Sequence, residues 1–362
     1  MGDLIGPGAS SEKLPDPVIF KTEKISRLRS DRIKPERALP VYKDGRIYIA
    51  SSRKKLVAFD LSGERVLEHE LSWAPVSTPL IEDNRVYVAG SDGGFHCLEL
   101  ASGKELWTRD LKLMDFSRPA ASGNAIIFQT GRDRVVALSR DEGEWLWEHQ
   151  HLRPEDLALK GLCPPAIKDG IVYIGLSAGS VAAMDAETGK LLWKRLPFKK
   201  TKFRDVDAPL RVNDSAVYAV SVSGKTAALS RKTGRTYWKF ERGGMAGSVL
   251  EGGTLYLATD RAEIMAVDKM TGKKQWTTEL SKRKKKKFFD LPTTPIIRGD
   301  FLVTVSRGGR VFMLDKRTGE IERHYFYYTD TSAPAVEVGD TGFLIMDNKG
   351  IIRYWSLAGT RG

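Results

Sequence analysis

The chain has 362 residues, 41% apolar and 29% charged; this is the balance of a globular protein, and no apolar run approaches the ~18 residues of a membrane-spanning helix. Its formal charge of +12 implies either attraction to something anionic, such as lipid head groups, nucleic acid or an acidic protein face, or simply solubility. The two cysteines, Cys97 and Cys163, imply no disulfide framework and lack metal-ligand spacing, so cysteine usage does not fix the compartment.

Residues 1–16, MGDLIGPGASSEKLPD, are rich in Gly, Ser and Pro and lack the basic-then-apolar pattern of a secretion signal. They read as a flexible tether, and the chain is either a protein that stays where it is made or a mature form whose signal has been removed. Residues 17–28, PVIFKTEKISRL, have strand character. From there the chain repeats one unit, seen most clearly at residues 164–196, PPAIKDGIVYIGLSAGSVAAMDAETGKLLWKRL. Four short strands are joined by three turns, the first being Asp169-Gly170, whose chemistry suits a tight hairpin with positive φ. A turn glycine with Trp four places later recurs as Gly103/Trp107, Gly143/Trp147, Gly189/Trp193, Gly234/Trp238 and Gly272/Trp276, with degenerate copies at Gly63/Leu67 and Gly319/Arg323. An opening proline recurs at Pro40, Pro79, Pro119, Pro165, Pro209, Pro295 and Pro334, with Gly247 standing in once. The intervals are roughly 40 to 48 residues, the period of a propeller blade.

Eight units follow, predicting an all-β, eight-bladed antiparallel β-propeller spanning residues 17–362 as a single domain, although length alone suggests two or three. Asp185, Asp268 and Asp315, each four residues before a turn glycine, organise hairpins. Cys97 occupies the slot of Ala137, Ala183, Ala228 and Ala266 and is expected to be a small core residue. The last repeat ends before a fourth strand, so the N-terminal strand is expected to complete blade eight and remove an open sheet edge.

With the proline strand innermost and the Trp strand outermost, the second-to-third turns and the blade-to-blade connections share one face. The connections at 111–118, 149–162, 197–204 and 281–290 exceed what a turn requires, which is where function tends to reside. Gly175-Leu-Ser177-Ala-Gly179 matches the G-x-S-x-G pattern of a nucleophile elbow, but it joins two strands rather than a strand and a helix, so no catalytic role is assigned to Ser177. His149 and His151 alternate on the outer strand of blade three; an exposed strand accounts for them better than a metal site. Two basic clusters lie on the connection face: Lys199, Lys200, Lys202 and Arg204, and Lys282, Arg283, Lys284, Lys285, Lys286 and Lys287 beside Phe288-Phe289. Such mixtures grip anionic lipid or single-stranded nucleic acid, or simply form solvated loops.

Across nearly the whole chain the units resemble the PQQ-like propeller repeat, x-G-x-x-Y…A-x-D-x-x-T-G-x-x-x-W, and within it the BamB family of outer-membrane assembly lipoproteins. Asp205-Val-Asp207-Ala-Pro209 is similar to that family's D-V-D-x-x-P segment, and Leu157-Ala-Leu159-Lys160-Gly161 before Pro165 is similar to its L-x-L-R-G-x-x-x-P connection. The resemblance implies a non-catalytic periplasmic scaffold, tethered to the inner leaflet of the outer membrane when lipidated. It also implies docking to a BamA-like barrel-assembly protein through Leu157, Leu159, Lys160, Asp205 and Asp207. Lys160 replaces the family's Arg, which loses a bidentate fork, and the two aspartates have a competing role in bonding local backbone. No metal or cofactor is expected and the chain is expected to be monomeric; unfolded outer-membrane proteins and an anionic membrane surface are further candidate partners, with nucleic acid not expected. The alternative is another interaction scaffold, cytoplasmic or at a membrane surface, whose basic face binds anionic ligands. A quinone- or metal-dependent oxidoreductase comes third, since the adjacent cysteine pair and the calcium site of quinoprotein dehydrogenases are not visible.

Overall fold

The computed structural model describes residues 18–21, 38–151, 162–198, 204–280, 290–326, 330–340, 342–348 and 350–357. These residues form eight four-stranded antiparallel sheets. Seven are contiguous in sequence, at residues 41–70, 80–110, 120–150, 166–195, 211–240, 248–279 and 296–326. The eighth takes three strands from residues 336–356 and its outermost strand from Val18–Lys21, which pairs Val18 with Tyr354 and Lys21 with Ile351. The inner strand of blade one, Val41–Lys43, packs beside that of blade eight, Val336–Val338, which closes the ring as expected.

The sequence pattern follows from this packing. Middle strands such as Ile171–Gly175 and Val181–Asp185 are buried almost throughout, because a neighbouring blade covers each face, and they are apolar or small at nearly every position. Outer strands such as Trp145–Gln150 alternate between exposed and half-buried residues. Asp169 and Gly170 adopt φ of 49° and 70°, the two left-handed residues of the hairpin turn expected there.

The recurring Gly and Trp, four apart within a blade, meet between blades. Trp107, Trp147, Trp193, Trp238 and Trp276 each donate the indole N–H to a carbonyl of the next blade, those of Arg140, Ala186, Arg231, Lys269 and Lys316, at 3.0 to 3.3 Å. Three residues past each acceptor lies a turn glycine, over which the indole ring rests. A β-carbon at Gly143, Gly189, Gly234, Gly272 or Gly319 would meet that ring at 2.4 to 2.7 Å, so only glycine fits. Blade one has Leu67 in the Trp position, yet its seat on blade two is filled. His69 packs on Gly103 and its Nε2 lies 3.0 Å from the Leu100 carbonyl oxygen, three residues before that glycine.

Asp185, Asp268 and Asp315 each accept two backbone N–H groups of their own turn. Asp60 does the same in a tighter turn, accepting from Ser62 and Glu64. Cys97 is fully buried opposite Trp107 in the strand register, as Ala137, Ala183, Ala228 and Ala266 are opposite their own tryptophans. Cys97 and Cys163 are free, and burial pushes each thiol up to about 12.

Candidate docking surface

Blade-to-blade connections bond to second-to-third turns around the ring, which places both on one face. Ser91 N–H donates to Ala74 O, His151 N–H to Asp133 O, Val222 N–H to Asp205 O, Leu280 N–H to Ala262 O and Arg307 N–H to Leu291 O. The residues singled out for docking fall on the connections into blades four and five. Leu157, Leu159 and Lys160 lie outside the described residues, as do Lys199, Lys200, Lys202 and the run Lys282 to Lys287. Arg204, Asp205 and Asp207 are described; Arg204 differs from expectation, and Asp205 takes the competing role of bonding backbone.

Asp205 is not a surface charge. It is 1% exposed and accepts the Ala178 N–H at 2.8 Å, while its own carbonyl accepts from Val222 at 3.0 Å. A buried carboxylate needs such donors, since desolvation without them is costly; Asp205 therefore shapes its connection instead of presenting itself to a partner. Asp207 is half-buried. Arg204, expected on a basic face, is half-buried and turns its guanidinium Nε onto the Ala178 carbonyl. Its charge is thereby directed into the frame of the connection.

Ser177 is buried in a short 3-10 turn between two strands, and its hydroxyl donates to Asp133 Oδ1 at 2.9 Å. Asp133 is the residue that sequence reading missed. It sits in the corresponding turn of blade three with φ of 56°, and at 4% exposure its carboxylate also accepts the Ser177 N–H at 3.0 and 3.2 Å. Nothing in its turn sequence, Gly131-Arg132-Asp133, distinguishes it from a solvated turn residue.

The two histidines also depart from an exposed strand. They point the same way, with ring centroids 4.4 Å apart, but His149 is half-buried and His151 only 3% exposed, tucked in just past the strand end. Burial above all, then the neighbouring His149 and Lys194, holds His151 down to about 3; burial and Lys194 lower His149 in the same direction. Both are neutral at pH 7, and among the described residues no three His, Cys, Asp or Glu side chains group to hold a metal.

The family model for outer membrane protein assembly factor BamB matches this chain over residues 21–154 and 83–278. The BamB of Shewanella oneidensis is 26% identical over 306 residues, spanning 79% of this chain and 75% of its own. Among solved structures, BamB from Moraxella catarrhalis is similar with a TM-score of 0.75 at 19% identity, covering 89% of this chain and 97% of that one. A quinohemoprotein alcohol dehydrogenase from Comamonas testosteroni is similar with a TM-score of 0.74 at 13% identity, covering 96% of this chain and 77% of that one. At such identities the two structural likenesses speak for the fold alone.

Proposed function

The chain belongs to the family of outer membrane protein assembly factor BamB, and from that premise we propose that it is a non-catalytic scaffold of outer-membrane protein assembly. It docks to a BamA-like barrel-assembly protein through the connections into blades four and five. Leu157 and Leu159 supply an apolar anchor, and Lys160 and Asp207 supply opposite charges that fix orientation. Asp205 contributes indirectly, by holding its connection in place. The protein works in the periplasm, on the inner face of the outer membrane when lipidated. The observation that carries this reading is the family match, whose two spans together include both connections.

The likeness to a quinohemoprotein dehydrogenase does not favour an enzyme, because chemistry resides in sites grafted onto a fold and not in the fold itself. G-x-S-x-G supports no nucleophile either, since Ser177 is buried and bonded to an aspartate.

Affinity for the soluble periplasmic domains of the BamA-like protein from the same organism tests the proposal. Saturable binding that Leu157→Ala/Leu159→Ala weakens by about tenfold or more is expected, as for a truncated interface anchor. Absence of binding at low salt removes the partner and favours the basic-face scaffold.

A further inference from the structure

The Ser177–Gly179 turn stands between the two docking connections and bonds toward both. We infer that it is a latch setting the position of one connection relative to the other, with Asp133, Ser177 and Asp205 as positioning residues; this deepens, and rests on, the docking reading above. All three are at least nine-tenths buried, at 4%, 6% and 1% exposure, so none offers a surface to a partner.

The described ends of both connections are held at or beside this turn. On the blade-three side, the His151 N–H donates to Asp133 O at 3.2 Å, and the Asp133 carboxylate takes the N–H and hydroxyl of Ser177. The far end of the same connection is fixed through Gln129: its Oε1 accepts the Cys163 N–H at 2.8 Å and its Nε2 donates to the Gly175 carbonyl at 3.2 Å. On the blade-five side, Ala178 donates its N–H to Asp205 and accepts from Arg204 at its carbonyl. Gly179, with φ of 80°, lets Phe198 approach: a β-carbon there would lie 2.9 Å from the Phe198 carbonyl oxygen. Ser221 Oγ donates to Arg204 O at 2.8 Å and so extends the frame into blade five.

Ala178 itself adopts φ of 60°, a left-handed conformation that a residue with a β-carbon holds only when its surroundings over-determine it. Here the two aspartates do so from opposite sides, through adjacent amides. The consequence is preorganisation. A partner that contacts both connections meets their anchored ends in fixed relative positions, which lowers the cost of ordering on binding.

Two variants, altered at opposite ends of the latch, test this in the intact chain. Ser177→Ala/Asp133→Asn thins the blade-three side while Asn still tolerates the left-handed backbone, and Asp205→Asn weakens the blade-five side. Amide hydrogen exchange of the chain alone is read at His151 and Cys163 on one side and at Val206 and Val222 on the other, with the middle strands as reference. Each variant is expected to speed exchange at both sides by about tenfold, in keeping with the loss of a buried charge-assisted bond, and to weaken partner binding by a similar factor. The middle strands should be unchanged. Acceleration confined to the side that carries the substitution overturns the latch, as does no acceleration. A wild-type chain that fails to bind the BamA-like domains overturns the docking reading, while the exchange pattern still decides the latch. Ser177→Ala alone gives the same decision if the double variant does not fold.

Discussion

Trp193 shows how much a single side chain contributes to this ring. It is 5% exposed, rests on Gly234 of the next blade and donates to the Arg231 carbonyl at 3.0 Å. Trp193→Ala is expected to cost about 3–5 kcal/mol, as large aromatic truncations in cores do, visible as a clear fall in the denaturant midpoint. Gly234→Ala attacks the same contact from the other side, since its β-carbon would lie 2.6 Å from the ring at a φ of 68°; the left-handed backbone alone costs roughly 1–2 kcal/mol. His151 adds a pH dependence. In the folded chain it stays neutral down to about 3, whereas in the unfolded chain it takes up a proton near its ordinary value of about 6.5. Stability should therefore fall on acidification through that interval, and His151→Gln should flatten the fall in denaturant midpoints measured from pH 7 to pH 4. Equal slopes in the two proteins would contradict this. Residue identity alone conveyed the chemistry of such side chains but not their burial. Arg204 reads as a surface charge because an Arg on a connection usually is one, and the sequence leaves Asp205 between docking and bonding to backbone; only the three-dimensional approach of Ala178 decides where both side chains go.

At the scale of elements, the outermost strand of blade eight is the most revealing piece. Val18–Lys21 pairs with Ile351 to Tyr354 and covers what would be an open edge on the strand Ile351–Ser356. Removing residues 1–21 is expected to lower the thermal midpoint and to drive concentration-dependent association, since an uncovered strand edge is a template for pairing. Size-exclusion chromatography across a dilution series checks it; a truncated chain that stays monomeric with an unchanged midpoint contradicts it. This closure was readable from sequence because the final repeat runs out after three strands. The blades were readable for a similar reason, since the opening proline recurs seven times and the turn glycine with its tryptophan five times, each demanded by the same local geometry. His69 was not: it takes the tryptophan's seat on Gly103 from two residues past the expected position, so a search at fixed spacing passes over it. The latch at Ser177–Gly179 stayed hidden because its partners, Asp133 and Asp205, are distant in sequence and come together only through the stacking of blades three, four and five.

At the scale of the whole molecule, tryptophan-on-glycine contacts repeated around the ring make neighbouring blades hold one another, and the docking proposal puts function on the connection face of that closed ring. That arrangement suits a scaffold, whose work is to keep contact residues in fixed relation while a partner moves. The family match supplies the setting, outer-membrane protein assembly. The most direct test of the account is the content of folded barrel proteins in the outer membrane of cells lacking this protein, complemented with the wild-type chain or with Leu157→Ala/Asp207→Ala. The account predicts a reduced barrel content that the wild-type chain restores and the variant, expressed at the same level, does not. Barrel content that is unaffected by loss of the protein, or restored equally by the variant, would contradict it.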